Sequence, residues 1–413
     1  MILIVNPHGM KQGPYFDVPT NLLYLVAALR TENIPCAMSD GNMVGLEGVK
    51  ADIDKYKPDI VGISCLSPVR FNALEIAAYA KGIGTPLVVM GGHHTHWMWE
   101  QVLNTYPQVD AVVFGEGERA IVDIAQHGMD VPGIAYRQEG RAVQTQRREY
   151  VKNLDDLPFP AWDTVDIAAY RATKRGIGPR VIYSRGCKGR CKFCNSTRFW
   201  RGYRHRSPEN FCEELEWLHS LGEDSFAFGD DNIDSDGIVA LFEVIASKQN
   251  IARPSSVTMR VDGITEESCA AMSRCGVQAV CLGIESASQP LLDHMQKDIT
   301  VEQAENAVRL VKKHGMNAVA LLIRNSIGET AADKQATVDF CNRVKPDDIG
   351  SVDALWLYPG TAYYKEVQQG KYDHLIKYGK ELVNDSFFTD PRYAQHVISW
   401  VDGQIRPMRV TDG

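Results

Sequence analysis

The sequence predicts an α/β protein in two parts. An N-terminal Rossmann-like, doubly wound parallel sheet is followed by a partial (β/α)6 barrel of the TIM type and a small C-terminal cap. Two observations carry this expectation. Short apolar runs without alternation recur between helical stretches, the mark of parallel strands buried on both faces. The pattern then loosens beyond residue 138, and a second strand–helix series starts near 180. A length of 413 residues suits two or three domains, each able to bury its own core.

In the first part, residues 2–5 read as a strand and 22–30 as a helix. Strands follow at 60–64, 87–90 and 111–114, with helices over 69–81 and 97–106. In such a sheet the ligand lies outside the carboxyl ends of the strands. The segments just past those ends are Asn6-Pro7-His8-Gly9, residues 64–68, Gly91-Gly92-His93-His94 and Gly115-Glu116-Gly117-Glu118. Gly and Pro are frequent there, as in backbone that lines a ligand. The expected boundaries are 1–145 for this domain, 146–178 for a linker, 179–361 for the barrel and 362–413 for the cap.

In the barrel, strands are expected near 180–184, 224–229, 255–260, 277–284, 316–324 and 350–358. Helices are expected near 208–221, 235–249, 265–274, 300–314 and 330–344. These steps are too few for a closed eight-stranded barrel and enough for three quarters of one, with its site at the strand C-termini. The cap is rich in aromatics, among them Tyr363, Tyr364, Phe387 and Phe388.

Composition narrows the function. A formal charge of −8 argues against a general nucleic-acid binder, and no apolar run approaches the length of a membrane span. The first residues, Met1-Ile-Leu-Ile-Val, lack the basic region and cleavage site of a signal peptide, so a soluble cytoplasmic protein is expected. The ten cysteines then read as reduced thiols or metal ligands.

Three of them form Cys187-x3-Cys191-x2-Cys194, directly after the strand Val181-Ile182-Tyr183-Ser184. Three thiolates on one short glycine-containing loop can converge on a [4Fe–4S] cubane and leave its fourth iron open to a substrate ligand. The competing reading is a zinc knuckle. Zinc wants a fourth Cys or His at close spacing, and His205 is eleven residues on, inside the run Arg198, Arg201, Arg204, His205, Arg206.

With this motif on a strand end, the sequence resembles the radical S-adenosylmethionine (SAM) superfamily, specifically the B12-dependent subgroup with an N-terminal cobalamin-binding domain. The resemblance covers residues 1–361. Phe193 matches the aromatic that lies near SAM, and Phe228-Gly229-Asp230-Asp231 matches the motif binding the SAM amine. Gly283-Ile284-Glu285-Ser286 stands where the family holds the ribose. Gly328-Glu329-Thr330 and Tyr358-Pro359-Gly360-Thr361 match the segments after the fifth and sixth strands. The resemblance thus implies SAM contacts from Phe193, Gly229, Asp230, Asp231, Arg260, Glu285, Ser286 and Tyr358. A carboxylate facing an amine, or a Glu accepting from ribose hydroxyls, makes physical sense of these types. Plain alternatives are a solvated turn for Asp230-Asp231 and a helix N-terminal charge for Glu285. Asn325-Ser326-Ile327 departs from the family's Gly-Leu-Pro, and Arg324 on an apolar strand hints at a polar substrate.

For the first domain the resemblance implies cobalamin across the strand ends. Its expected contacts are Pro7, Asp40, Gly41, Ser64, Leu66, Arg70, Gly91, Gly92, His94, Gly115, Glu116 and Gly117, with Leu66 or Arg70 capping the lower face. The chain lacks Asp-x-His-x-x-Gly, so the cofactor is expected base-off without a protein His ligand. A vestigial, cofactor-free domain is the alternative. Cys269, Cys275 and Cys281 read as buried small hydrophobes or a second cluster, and the Arg198–Arg206 run as a helix-entry rim or a contact to substrate phosphate or carboxylate. The resulting expectation is a radical methyltransferase using a 5′-deoxyadenosyl radical and methylcobalamin on a small polar metabolite. Its partner would be an electron donor such as flavodoxin or ferredoxin. Rearrangement, cyclisation or sulfur insertion on the same frame is the alternative. No acid–base pair can be assigned.

Overall fold

The computed structural model of the chain describes residues 1–7, 9, 17–173, 178–235 and 237–410. His8, in the first expected ligand loop, lies outside the described residues. Among those described, seven strands form the first sheet: β1 (Ile2–Asn6), β2 (Cys36–Asp40), β3 (Ile60–Ser64), β4 (Leu87–Gly91), β5 (Ala111–Val113), β6 (Ile134–Gln138) and β7 (Arg141–Gln144). Their order is β2-β1-β3-β4-β5-β6-β7, parallel through β5 and antiparallel thereafter.

The reading of buried, non-alternating strands has a direct cause in β1. Successive side chains point to opposite faces. Leu3 and Val5 enter the core shared with Val49, Ile53 and Ala73 of the helices Gly41–Tyr56 and Arg70–Gly82. Ile2 and Ile4 enter the opposite core with Leu22, Val26, Ile121 and Ile124 of the helices Thr20–Thr31 and Glu118–His127. The chain reverses direction across the sheet between β1 and β3, which opens a crevice at their carboxyl ends.

The second sheet takes β8 (Arg180–Val181), β11 (Ser225–Phe228), β12 (Arg253–Arg260), β13 (Ala279–Glu285), β14 (Asn317–Arg324) and β15 (Asp348–Ala354) in unbroken sequence, all parallel. This is the open, three-quarter barrel. Between β8 and β11, the short pair β9 (Ser184–Gly186) and β10 (Tyr203–His205) brackets the cysteine loop. Threonine caps start the outer helices: the side chains of Thr265, Thr300 and Thr330 each accept from the backbone amide three residues on. Cys269 and Cys275 are buried in the core between barrel and helices.

The strand β2 and its helix went unread in the sequence, because Cys-Ala-Met-Ser-Asp carries little apolar signal. The helix expected from 97 starts at His93, so His93 and His94 belong to its first turn. The hairpin β16 (His396–Val401) and β17 (Gln404–Arg409) anchors the cap. Tyr363, Tyr364, Phe387, Phe388 and Trp400 share a core with Ala73, Ile76, Met98 and Val102, so the cap is fastened to the first domain's helices.

Candidate active site

The cysteine loop is delivered by β9. Gly186 has φ +93°, and a Cβ there would stand 1.9 Å from the Gly202 carbonyl oxygen, so only glycine lets β9 and β10 pair. Within the loop the Gly189 amide donates to the Cys187 sulfur (3.3 Å) and the Ser196 amide to the Cys194 sulfur (3.4 Å). The Arg260 guanidinium lies 3.8 Å from the Cys191 sulfur. Burial raises the Cys191 thiol, while Lys297 and Arg260 pull it back. Amides and cations aimed at sulfur favour the thiolate, the form that ligates metal. Among the described residues, no three His, Cys, Asp or Glu side chains are gathered as a site for a single metal ion. The three loop cysteines are the residues that would hold a [4Fe–4S] cluster.

The residues expected at SAM divide. Asp231 is exposed beside the loop and accepts from the Ser196 hydroxyl at 2.7 Å. Its neighbour Asp230 is buried, and its carboxylate is consumed by the amides of Tyr183 and Ser184 and the Ser184 hydroxyl. Asp230 therefore clamps β9 to the end of β11 and does not face a ligand, a correction to the paired reading. Burial pushes its carboxyl up to about 7, against those hydrogen bonds.

Glu285 ends β13 with φ +65° and is bound by Lys297 at 2.7 Å. The Lys297 ammonium lies 5.9 Å from the centre of the Phe193 ring. Lys297 thus links three stations, Glu285, Phe193 and Cys191. Ser286 is buried against Thr337 and the Ser288 amide, so it braces a helix instead of facing the barrel mouth. Arg260 is held by Asp262 and the Lys297 carbonyl on the loop's outer side. Tyr358 packs edge-on against Trp356. Arg324 donates to the Val352 carbonyl at the barrel edge.

Between the two sheets runs a cavity of 220 Å³, adjoined by one of 260 Å³; the two share Asn21, Ser64, Ile182 and Gly229. The first is walled by Gly62, Gly91, Gly92, Gly115 and Gly117, ends on Gly229 and Asp231, and reaches past Ile4, Val89 and Val113 into the sheet's flank. Pro7, Leu66, Pro68 and Val69 line the second. Gly92 has φ +105°, and a Cβ there would meet the Cys65 carbonyl oxygen at 2.8 Å. A Cβ on Gly62 or Gly117 would approach Ile4 or Leu25 at 3.0 Å. A wall without side chains, over an apolar slot, lets a rigid group approach the backbone closely.

Ser64, Gly91, Gly92, Gly115, Glu116 and Gly117 all line this space, and Pro7 and Leu66 its extension. Four other expected contacts do not. Arg70 is fully buried and donates to the carbonyls of Ser67, Phe388, Tyr393 and His396, tying the cap down instead of capping a ring. His94 is buried against the Ser67 hydroxyl at 3.0 Å, near Phe388. Asp40 caps the helix that Gly41 opens, and it also accepts from Asn6 and the Tyr170 hydroxyl. Glu116 reaches the wall but spends its carboxylate on Arg185 (2.8 Å), Arg204 (2.9 Å) and the Val151 amide (2.6 Å).

His93, within the strand-end segment read from the sequence, also lines the cavity and stacks on Phe199 at 3.8 Å; the contributions of Phe199, Trp200, Ile182 and Arg185 were missed. A signal existed, since Phe199-Trp200 follows the third cysteine within one helical turn and a half. The Arg-rich composition of that stretch drew attention away from its aromatics.

Comparison with known proteins agrees with this architecture. The model of the radical SAM superfamily matches residues 181–341, and that of the B12 binding domain matches 15–125. The chain is 32% identical over 359 residues to the uncharacterized methyltransferase PH0819 of Pyrococcus horikoshii, covering 84% of this chain and 78% of that protein. It is 31% identical to the anaerobic magnesium-protoporphyrin IX monomethyl ester cyclase of Rubrivivax gelatinosus, covering 74% of this chain and 58% of the cyclase. Among solved structures, the methyltransferase TsrM of Kitasatospora setae, with tryptophan and a SAM analogue bound, superposes with a TM-score of 0.75 at 19% identity. That match covers 89% of this chain and 76% of TsrM, and at this identity it speaks for the fold alone.

Proposed function

The chain belongs to the B12-dependent radical SAM enzymes, those with an N-terminal B12-binding domain, and on that premise we propose that it is a methyltransferase acting on an unactivated carbon of a small polar substrate. The observation that supports this most is the glycine-walled cavity, which runs from the slot in the first sheet to Asp231 beside the cysteine loop. Residues expected at both cofactors, Gly91, Gly92, Gly115 and Gly117 on one side and Gly229 and Asp231 on the other, line this one space.

Cys187, Cys191 and Cys194 would hold a [4Fe–4S] cluster, with Lys297 and Arg260 offsetting the negative charge. Asp231, Phe193 and Glu285 are the groups suited to orient SAM. Gly91, Gly92, Gly115 and Gly117 would admit cobalamin, with Leu66 lining the adjoining space, while His94 is engaged by Ser67. Together the three cofactors supply a 5′-deoxyadenosyl radical and a transferable methyl group. The chain's own part is to position the substrate and keep water out, which Phe199, Trp200 and His93 do by walling the cavity. The electron would come from a flavodoxin or ferredoxin.

A second reading, radical ring closure or rearrangement on the same frame, is favoured by the 31% identity to the cyclase. The deciding measurement is metal content after anaerobic expression with cobalamin supplied, followed by incubation with methyl-labelled SAM. About four iron atoms per chain with stoichiometric cobalt, then label in a product carbon, is the expected result. Both metals with an unlabelled product would give the lead to ring closure. Iron without cobalt would defeat methyl transfer by this route.

A further inference from the structure

Beyond the cavity between the sheets lies a further recess of 190 Å³. His96 forms part of its wall and packs against Phe199 at 4.9 Å, and Phe199 lines the cavity between the sheets, so one aromatic layer separates the two. The remaining aromatic walls are Trp97, Trp99, Phe114 and Tyr150. The charged walls are all cationic: Arg147, Arg148 and Arg201, with no carboxylate among the described lining residues. A shallower groove continues outward past Trp200, Arg204 and the exposed pair Lys152–Glu149.

The state of these cations sets the recess apart. Arg147 and Arg201 are exposed, and the salt bridges of the described residues include neither. Arg201 lies over the Tyr150 ring at 5.5 Å, its left-handed backbone (φ +55°) ending the helix Ser196–Trp200. Arg148 pairs with Asp123 and Arg204 with Glu116, yet Nε of the first and Nη2 of the second are buried donors without an acceptor. The indole N–H of Trp97 is a third. Burial, His93 and the field of Arg201 and Arg147 hold His96 neutral, its pKa near 4. The two exposed guanidinium groups, paired with no carboxylate among the described residues, stand at an aromatic wall and leave room for an acceptor-rich group.

We propose that this recess anchors an oxyanion, phosphate or carboxylate, carried on a flat aromatic body, with Arg147 and Arg201 gripping the charge and Trp97, Trp99 and Phe114 packing the ring. Arginine suits this task because its planar fork meets both oxyanions with paired hydrogen bonds and stacks on aromatic rings. The anchoring is a matter of binding alone and does not depend on the function proposed above.

The test titrates phenyl phosphate, benzoate and phenol into the full chain, read by tryptophan fluorescence and calorimetry. Saturable binding of phenyl phosphate or benzoate is expected, with phenol at least about tenfold weaker. The better of the two anions names the group. R147A/R201A, which changes two exposed side chains, should weaken anion binding by about tenfold or more while its circular dichroism stays unchanged. Phenol binding as tightly as the anions, an unchanged affinity in R147A/R201A, or no saturation below about 10 mM would each overturn the proposal. Turnover is not read, so a failure of methyl transfer leaves this result standing.

Discussion

Asp230 shows how one carboxylate can read as a ligand in sequence and serve as a clamp in space. Its folded pKa of about 7 lies above the ordinary value of 3.8 because burial outweighs the three hydrogen bonds it accepts. The folded chain therefore keeps a proton that the unfolded chain has released. This contribution to stability is full below about pH 4 and is lost as pH rises to about 7. D230N removes the titration, so the fall in melting temperature between pH 4.5 and 7.5, measured without cofactors, should shrink. Lys297 makes a different demand: it is buried and neutralises Glu285. K297M leaves that carboxylate unpaired and should cost about 3–5 kcal/mol in urea unfolding, whereas K297M/E285Q should recover part of the loss. If the double variant is no better than the single one, the pair is not what holds this corner.

At the scale of elements, the junctions after β4 and β9 are set by backbone clearance. G92A would press a methyl group against the Cys65 carbonyl at a φ that L-residues rarely adopt, costing about 1–3 kcal/mol or more. Because β4 and the helix from His93 meet there, cobalamin retention should fall in G92A with iron content unchanged. G186A should do the reverse: its methyl group collides with Gly202 in the β9–β10 pair, so iron content falls while cobalt is kept. Parallel loss of both metals in either variant would mean global unfolding and not a local junction. The strands at 60–64 and 87–90 were legible because their apolar runs are short and bounded. β2 was not, because Cys-Ala-Met-Ser-Asp is a weak apolar run and its pairing with β1 is not written in its own pattern.

For the whole molecule, the two sheets are joined by charge buried between them. Arg185, from the barrel, meets Glu116 and Glu118, from the first domain, and all three are buried. These carboxylates, Glu118 foremost, keep the guanidinium charged against the cost of its burial. E116Q/E118Q leaves that cation without a counter-charge, beside the rings of Tyr24 and Trp200. Heating the variant should replace a single transition with two, as the domains lose their coupling; an unchanged single transition would mean that apolar contacts suffice. Arg70 holds the cap through three of its carbonyls, those of Phe388, Tyr393 and His396. R70M should expose residues 362–410 to limited proteolysis before the rest of the chain is cut.

The sequence by itself determined the fold class, the order of the two α/β units and the cysteine loop, because these rest on local patterns: apolar runs, glycine at strand ends, and thiols a few residues apart. The partners of each polar side chain were decided only by the tertiary structure. Asp230 and Asp231 are adjacent in sequence, yet one is sealed against β9 and the other faces the cavity, since neighbouring residues at a strand end turn to opposite sides. Arg70, His94 and Glu116 carried ligand-like chemistry, but their hydrogen-bonding capacity was already committed to the cap, to Ser67 and to Arg185. Those commitments join residues as far as 326 positions apart in the chain, a separation at which no spacing rule operates.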